Sequence, residues 1–158
     1  MKAATGGIGT LRRIGTLETP FATVAECPRN GRQLRPAPVC RARILPEFVP
    51  GLASLGGFSH LVLLYWLARP GRDAALRFVP PFDTEERGVF ATRNPARPNP
   101  IGLGVVAFDG FDGEDCLLVR FLDCMNGTPL LDIKPYLPTT DAVPEASMGW
   151  LARHATRA

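Results

Sequence analysis

Phe58-Ser59-His60-Leu61-Val62-Leu63-Leu64-Tyr65-Trp66-Leu67 is a nearly continuous apolar run bounded by Gly57 and Pro70. Its length suits a strand better than a helix, and its unbroken apolarity predicts a strand covered on both faces. Upstream, Val39 to Leu45 alternates, with Cys40, Ala42 and Ile44 on one face and Arg41 and Arg43 on the other, the period of a half-buried strand. Ile8 to Thr19, rich in Thr, Ile and Leu but broken by Gly9 and Gly15, reads as a bent strand. Downstream, Gly88-Val89-Phe90-Ala91-Thr92-Arg93 is another strand candidate. Ile101 to Phe108 and Cys116 to Leu122 read as a hairpin turned by Asp109-Gly110 and Asp112-Gly113. Pro46 to Ser54 predicts a helical turn or two, stopped at Gly56-Gly57. Met148, Trp150 and Leu151 stand near helical spacing in a short terminal helix within the tail 142–158.

About six strands without βαβ alternation predict a mainly β, largely antiparallel barrel or sandwich. The length of 158 residues fits one domain, and 46% hydrophobic with 21% charged residues excludes wholesale disorder. Sixteen Gly and 16 Pro argue against long helices, because each proline fixes φ and removes a donor. Gly6-Gly7-Ile8-Gly9 lacks the preceding strand and the spacing of a dinucleotide fingerprint. With only His60 and His154, a multi-histidine metal site cannot form in one chain, so no metal is expected. Cys27, Cys40, Cys116 and Cys124 contain no Cys-x-x-Cys pair and are expected as free thiols. No signal-peptide core or transmembrane run is present, which points away from membranes and to the cytoplasm. Residues 1–50 carry net +5, 51–100 net +2 and 101–158 net −4, and 16 of the 18 cations are Arg. Arg29, Arg32, Arg35, Arg41 and Arg43 could face a polyanion, though ordinary solvated positions account for them slightly better.

Two stretches have the composition of binding loops. In Arg93-Asn94-Pro95-Ala96-Arg97-Pro98-Asn99-Pro100-Ile101-Gly102, three prolines within six residues pre-order the backbone that presents Arg93, Arg97 and Asn99. The second, Asp123-Cys124-Met125-Asn126-Gly127-Thr128 continuing to Pro138, joins a glycine turn to Asp123, Asp132, Lys134 and Tyr136. Exposed amides at that turn could take a carboxylate or an adenine edge; equally, Asp132 and Lys134 could form a surface ladder with Tyr136 packed as a lid. His60 reads as a structural hydrogen-bonder rather than a base, and no nucleophile elbow or Ser/His/Asp set can be assembled.

Phe58-Ser59-His60-Leu61, Gly88 to Arg93, Arg97 to Gly102, Gly127-Thr128-Pro129 and Asp132 to Tyr136, in that order, resemble the TsaA-like (YaeB/TrmO) β-barrel family. The resemblance runs from about Ile14 to Asp141 and marks a domain over 8–141. It implies a single-sheeted β-barrel, usually a homodimer, that binds S-adenosylmethionine. The activity it implies is methylation of N6 of threonylcarbamoyladenosine at position 37 in the tRNA anticodon loop. By motif, the cofactor site falls on Arg93, Leu103, the loop Pro28-Arg29-Asn30, Leu67 and Ala68, and the stretch Leu122, Asp123, Cys124, Met125, Asn126, Gly127 and Thr128. Arg97, Asn99, Lys134 and Tyr136 are the candidates for orienting the acceptor nucleotide. This chain departs from the family in carrying Asn126 where Asp is frequent, and in ending about 20 residues past the last motif. A methyltransferase of another acceptor and a non-catalytic nucleotide- or RNA-binding barrel are the alternatives.

Overall fold

The computed structural model describes residues 9–67 and 75–157. Six strands close into one antiparallel barrel: β1 (Gly15–Glu18), β2 (Val39–Ile44), β3 (His60–Trp66), β6 (Ile101–Phe111), β7 (Cys116–Arg120) and β8 (Thr128–Pro135), hydrogen-bonded in the order β1-β2-β7-β6-β3-β8. Two short strands, β4 (Arg77–Phe78) and β5 (Arg87–Gly88), pair outside it. The mainly β, single-sheeted barrel expected from the sequence is therefore the architecture observed.

The alternation in Val39 to Leu45 is realised in β2, where Cys40, Ala42 and Ile44 are buried and Arg41 and Arg43 face solvent. On β3, by contrast, Leu61, Leu63 and Tyr65 are buried while His60, Val62, Leu64 and Trp66 are only half-buried. Closure explains the departure from a strand covered on both faces: each barrel strand has one interior side, and no described residue fully covers the outer side of β3. The strand expected over Ile8 to Thr19 shortens to β1, and Ile8 lies outside the described residues.

Gly88 to Arg93 is not a strand. After β5 the chain turns into a 3-10 helix, Val89–Ala91, because the Val89 N–H bonds Leu76 O and Thr92 gives both its N–H and its hydroxyl to Val89 O. The expected hairpin forms, but β6 runs through Asp109-Gly110, where Gly110 at φ 106° absorbs a register shift, and the reversal falls after Phe111. Pro46–Leu52 and Gly149–Arg157 are 3-10 helices. Cys40, Cys116 and Cys124 are free thiols and buried.

The barrel is filled by Leu17, Leu61, Leu63, Leu117, Val106 and Val119 among others, and its largest fully buried side chain is Tyr65. The Tyr65 ring lies against Gly102, its partner in the β3–β6 register, where a Cβ would overlap the ring. Gly104 is different, since the nearest Tyr65 atoms would stand 3.5 Å from its Cβ. Gly102→Ala is therefore expected to destabilise the fold by about 1–3 kcal/mol through overpacking. Gly104→Ala should unfold at or above the wild-type temperature, because alanine lowers the entropy of the unfolded chain. Thermal unfolding of the two variants side by side checks both.

Candidate functional site

At the mouth of the barrel, the Tyr65 hydroxyl donates to Asp123 Oδ1 at 2.7 Å. Burial pushes the Asp123 carboxyl above its usual value, against the opposing pull of the Tyr65 hydrogen bond and the nearby positive charge of Arg93. The Tyr65 phenol is likewise raised, by burial first and by Asp123 second, so it remains a neutral donor. Asp123 follows β7 on a segment held from outside by the loop 28–33. Gly31 packs so closely on Phe121 that a Cβ would overlap the Phe121 carbonyl, and the Arg32 guanidinium stacks over the Phe121 ring at 4.0 Å. Phe121 itself sits at φ 75°, a left-handed conformation kept only where surrounding contacts enforce it. The loop closes on itself as well, with Asn30 Oδ1 accepting the Arg32 N–H at 2.9 Å and Gln33 Oε1 accepting the Arg29 N–H at 2.6 Å.

This loop and the segment after β5 border an open cleft of about 1020 Å³. Arg29, Asn30, Arg93 and Asn94 give its lining cationic and amide groups, while Phe78, Phe82, Phe90, Trp150 and Leu151 give it apolar ones. The guanidiniums of Arg29 and Arg93 donate to no acceptor among the described residues, so two uncommitted cations meet here. The C-terminal 3-10 helix supplies part of the wall. Trp150 stacks on Phe82 with ring centroids 6.0 Å apart, donates Nε1 to Ala91 O at 2.9 Å, and lies under the Arg87 guanidinium at 4.7 Å. Arg87 is in turn fixed by two hydrogen bonds to Asp83 Oδ2, at 2.9 and 2.8 Å. Burial would raise the Asp83 carboxyl, but the Arg87 bonds and the Thr84 and Glu85 amides outweigh it and bring it to about 2.

Arg93, Arg29 and Asn30 thus share the cleft, with Asp123 close enough to feel the charge of Arg93. Other expected site residues have different work. The Asn126 and Gly127 amides are spent on Phe21 O and Leu17 O at 2.8 Å each, Thr128 N–H goes to Met125 O, and Asn126 Oδ1 accepts the Thr19 N–H at 3.1 Å. That turn therefore sews β8 to the end of β1, and its Asn126, Gly127 and Thr128 amides are not free for a carboxylate or adenine edge. The side chain at 126 serves as an acceptor there, a task asparagine and aspartate perform equally. Leu122 and Cys124 point into the core, and burial lifts the Cys124 thiol to about 12.

Arg97 braces its own loop by donating to Thr92 O at 3.0 Å, and Asn99 is exposed, with its carbonyl accepting the Ile101 N–H. Leu103 alternates with the inward Gly102 and is exposed on the outer side of β6. The Leu67 N–H is bonded to Pro100 O at 2.7 Å, Pro28 precedes the closed loop, and Ala68 lies outside the described residues. Lys134 stands six residues along β8 from Thr128, about 20 Å at strand rise, and pairs with Asp132 at 2.8 Å as a surface ladder. Tyr136 packs edge-on to His60 beside it, at 6.3 Å between centroids. One chain does not bring Lys134 and Tyr136 to the cleft.

Sequence reasoning missed Phe82, Phe90 and Trp150 as cleft residues. The Arg cluster resolves unevenly: Arg43 pairs with Glu18 at 2.9 Å and Arg41 with Asp112 at 3.4 Å, while Arg32 is stacked, so these three do not form a free polyanion face.

The sequence profile described as tRNA-methyltransferase O N-terminal domain matches residues 16–142. A probable S-adenosyl-L-methionine-binding protein of Archaeoglobus fulgidus is 46% identical over 140 residues, covering 89% of this chain and 37% of its own length. A tRNA (adenine(37)-N6)-methyltransferase of Eikenella corrodens is 48% identical over 100 residues, 60% of this chain and 57% of its own length. The crystal structure of TrmO from Pseudomonas aeruginosa superposes with a TM-score of 0.74 at 35% identity, over 90% of this chain and 62% of that one. The chain thus spans less than two thirds of the length of each of these three.

The electrostatics of Asp123 give a stability test. A carboxyl whose folded pKa is raised favours the fold while protonated and loses that contribution as pH climbs from its unfolded value near 3.8 through the raised folded value. Asp123→Asn keeps an acceptor for Tyr65 without the buried charge. Its unfolding temperature should therefore gain on wild type as pH rises through that interval, and equal or exceed it at pH 7. Thermal scans from pH 3.5 to 7 measure the difference.

Proposed function

The chain belongs to the tRNA-methyltransferase O N-terminal domain family, and from that premise we propose that it binds S-adenosylmethionine in the cleft bordered by Arg29 and Arg93 and methylates adenine N6 in tRNA. The observation that carries this reading is the pair of uncommitted guanidiniums beside a cleft with apolar walls and a carboxylate, Asp123, within range of Arg93. Such a donor set suits a ligand that combines a carboxylate, a cationic centre and a flat heterocycle. The finer form of the proposal takes threonylcarbamoyladenosine at position 37 as the acceptor, as the family resemblance implies.

When bound, the cofactor supplies a methyl group on a sulfonium whose departing thioether is neutral. The protein's work is then positional, and holding acceptor and donor in line can supply about 7–11 kcal/mol of the barrier. Arg93 and Arg29 hold anionic groups. Tyr65 keeps the Asp123 carboxylate aimed at the mouth, where it faces positive charge. The pinned loops 28–33 and 89–94 fix the backbone that carries the two arginines before any ligand arrives, and the aromatic wall keeps water from one side of the cleft. Arg97 acts in this scheme through the loop that it braces.

A homodimer in the cytoplasm belongs to the same proposal. Exposed Ile101 and Leu103, beside Trp66 on the outer face of β3 and β6, offer the apolar surface a second copy would cover. A second copy is also the means by which Lys134 and Tyr136 could reach a cleft that their own chain keeps them from.

Arg93→Ala is expected to weaken S-adenosylmethionine binding about 10- to 100-fold, the loss of one charge-assisted contact, by calorimetric titration. Wild-type affinity in that variant would remove Arg93 from the site. Nucleoside mass spectrometry of tRNA from cells with and without the gene should lose methylated threonylcarbamoyladenosine; an unchanged profile rejects that acceptor.

A further inference from the structure

Phe90 is the most exposed large apolar side chain among the described residues, at 76%, and it lines the cleft. Both of its neighbours are tied down. Val89 is 1% exposed with its N–H on Leu76 O, and the Ala91 carbonyl accepts the Trp150 indole N–H at 2.9 Å. The Thr92 hydroxyl and N–H both close on Val89 O, so the turn carrying Phe90 is braced from three directions while the ring touches no other aromatic ring or cation among the described residues. An isolated exposed phenylalanine on a convex surface needs no explanation. One held on a rigid turn inside a cleft beside two uncommitted arginines is preorganised for a flat ligand with negative charge nearby, which is the chemistry of an unpaired nucleotide.

The anchor draws on one residue outside the matched 16–142: Trp150, stacked on Phe82 and lying under the Asp83-bound Arg87, fixes the Ala91 carbonyl. A cleft of about 1020 Å³ is also at the upper limit of pockets that enclose one drug-sized ligand, which leaves room for a nucleobase beside a cofactor. We propose that Phe90 is the stacking platform for the unpaired purine of the substrate RNA, held in place by the Trp150 latch. This rests on the reading of the cleft given above.

The test uses the whole chain, a synthetic tRNA anticodon stem-loop with threonylcarbamoyladenosine at position 37, and S-adenosylmethionine, with affinities measured separately for wild type, Phe90→Ala and Phe90→Tyr. Phe90→Ala should bind the stem-loop about 5- to 150-fold more weakly, the usual loss of one base–aromatic stack. Phe90→Tyr, which keeps the ring, should restore RNA affinity, and all three should bind S-adenosylmethionine equally. RNA affinity unchanged in Phe90→Ala overturns the assignment. Weakened cofactor binding in that variant also overturns it, placing the ring on the cofactor's adenine, and so does a change of sedimenting mass, which makes Phe90 a subunit contact. Wild type that binds S-adenosylmethionine but no stem-loop rejects this inference and leaves the cofactor reading standing. Binding of the stem-loop through Phe90 without cofactor affinity does the reverse.

Discussion

The packing of Tyr65 on Gly102 sets the geometry from which the rest of the molecule follows. A tyrosine ring inside a six-stranded barrel fits only where the facing strand has no side chain, and Gly102 on β6 provides that gap in the β3–β6 register. Its hydroxyl then emerges at the barrel mouth and must find an acceptor, because a buried phenol without one costs about 1–3 kcal/mol. Asp123 Oδ1 meets that need at 2.7 Å. A packing requirement of the core thereby fixes a carboxylate at the rim, half-buried and beside Arg93, where its ionisation is opposed by burial and favoured by its neighbours.

The rim loops share one device, the spending of their backbone groups on one another so that selected side chains alone remain free. The Asn126-Gly127 turn gives its amides to β1, the loop 28–33 closes through Asn30 and Gln33, and the turn after β5 closes through Thr92. Arg29, Arg93 and Phe90 are among the side chains left over. The arginines divide on the same principle. Arg41 and Arg43 sit on β2 opposite acidic partners on neighbouring elements and pair with them, whereas Arg29 and Arg93 stand on loops and form no ion pair among the described residues, Arg93 having only the nearby charge of Asp123.

Much of the barrel was legible because strands declare themselves through period and punctuation. Cys40, Ala42 and Ile44 alternate on β2, and the run to Trp66 ends where glycine and proline bound it. The turn at Val89 was not legible, since Gly-Val-Phe-Ala-Thr-Arg has strand propensity and it takes the bond from Val89 to Leu76, together with the Thr92 closure on Val89 O, to make it a helix turn. Neither was the role of Asn126, whose partner Thr19 lies 107 residues away. Arg93, Arg29 and Asn30, which the motifs single out, line the cleft. Lys134 and Tyr136 were drawn in by the same motifs but lie at the far end of β8. Sequence proximity to Gly127 said nothing about the axial distance that six extended residues cover.

The C-terminal segment follows from what a rim of loops lacks. A barrel end made of short connections offers polar groups readily but has few large apolar surfaces, because those are drawn into the core. Part of the aromatic wall there comes from a segment with no strand to form, docked by contacts strong enough to hold a short 3-10 helix that would not persist alone. The Asp83–Arg87 pair meets that condition: Asp83 is 5% exposed, and its paired charge is shielded from screening. Arg87 extends the pair to the Trp150 face, and Trp150 extends it by one hydrogen bond to Ala91 O. The carboxylate at 83, an otherwise unremarked acid, is thereby coupled through an arginine and an indole to the backbone on which Phe90 stands. A change at any link is expected to loosen the backbone that carries the ring, away from the six strands of the barrel.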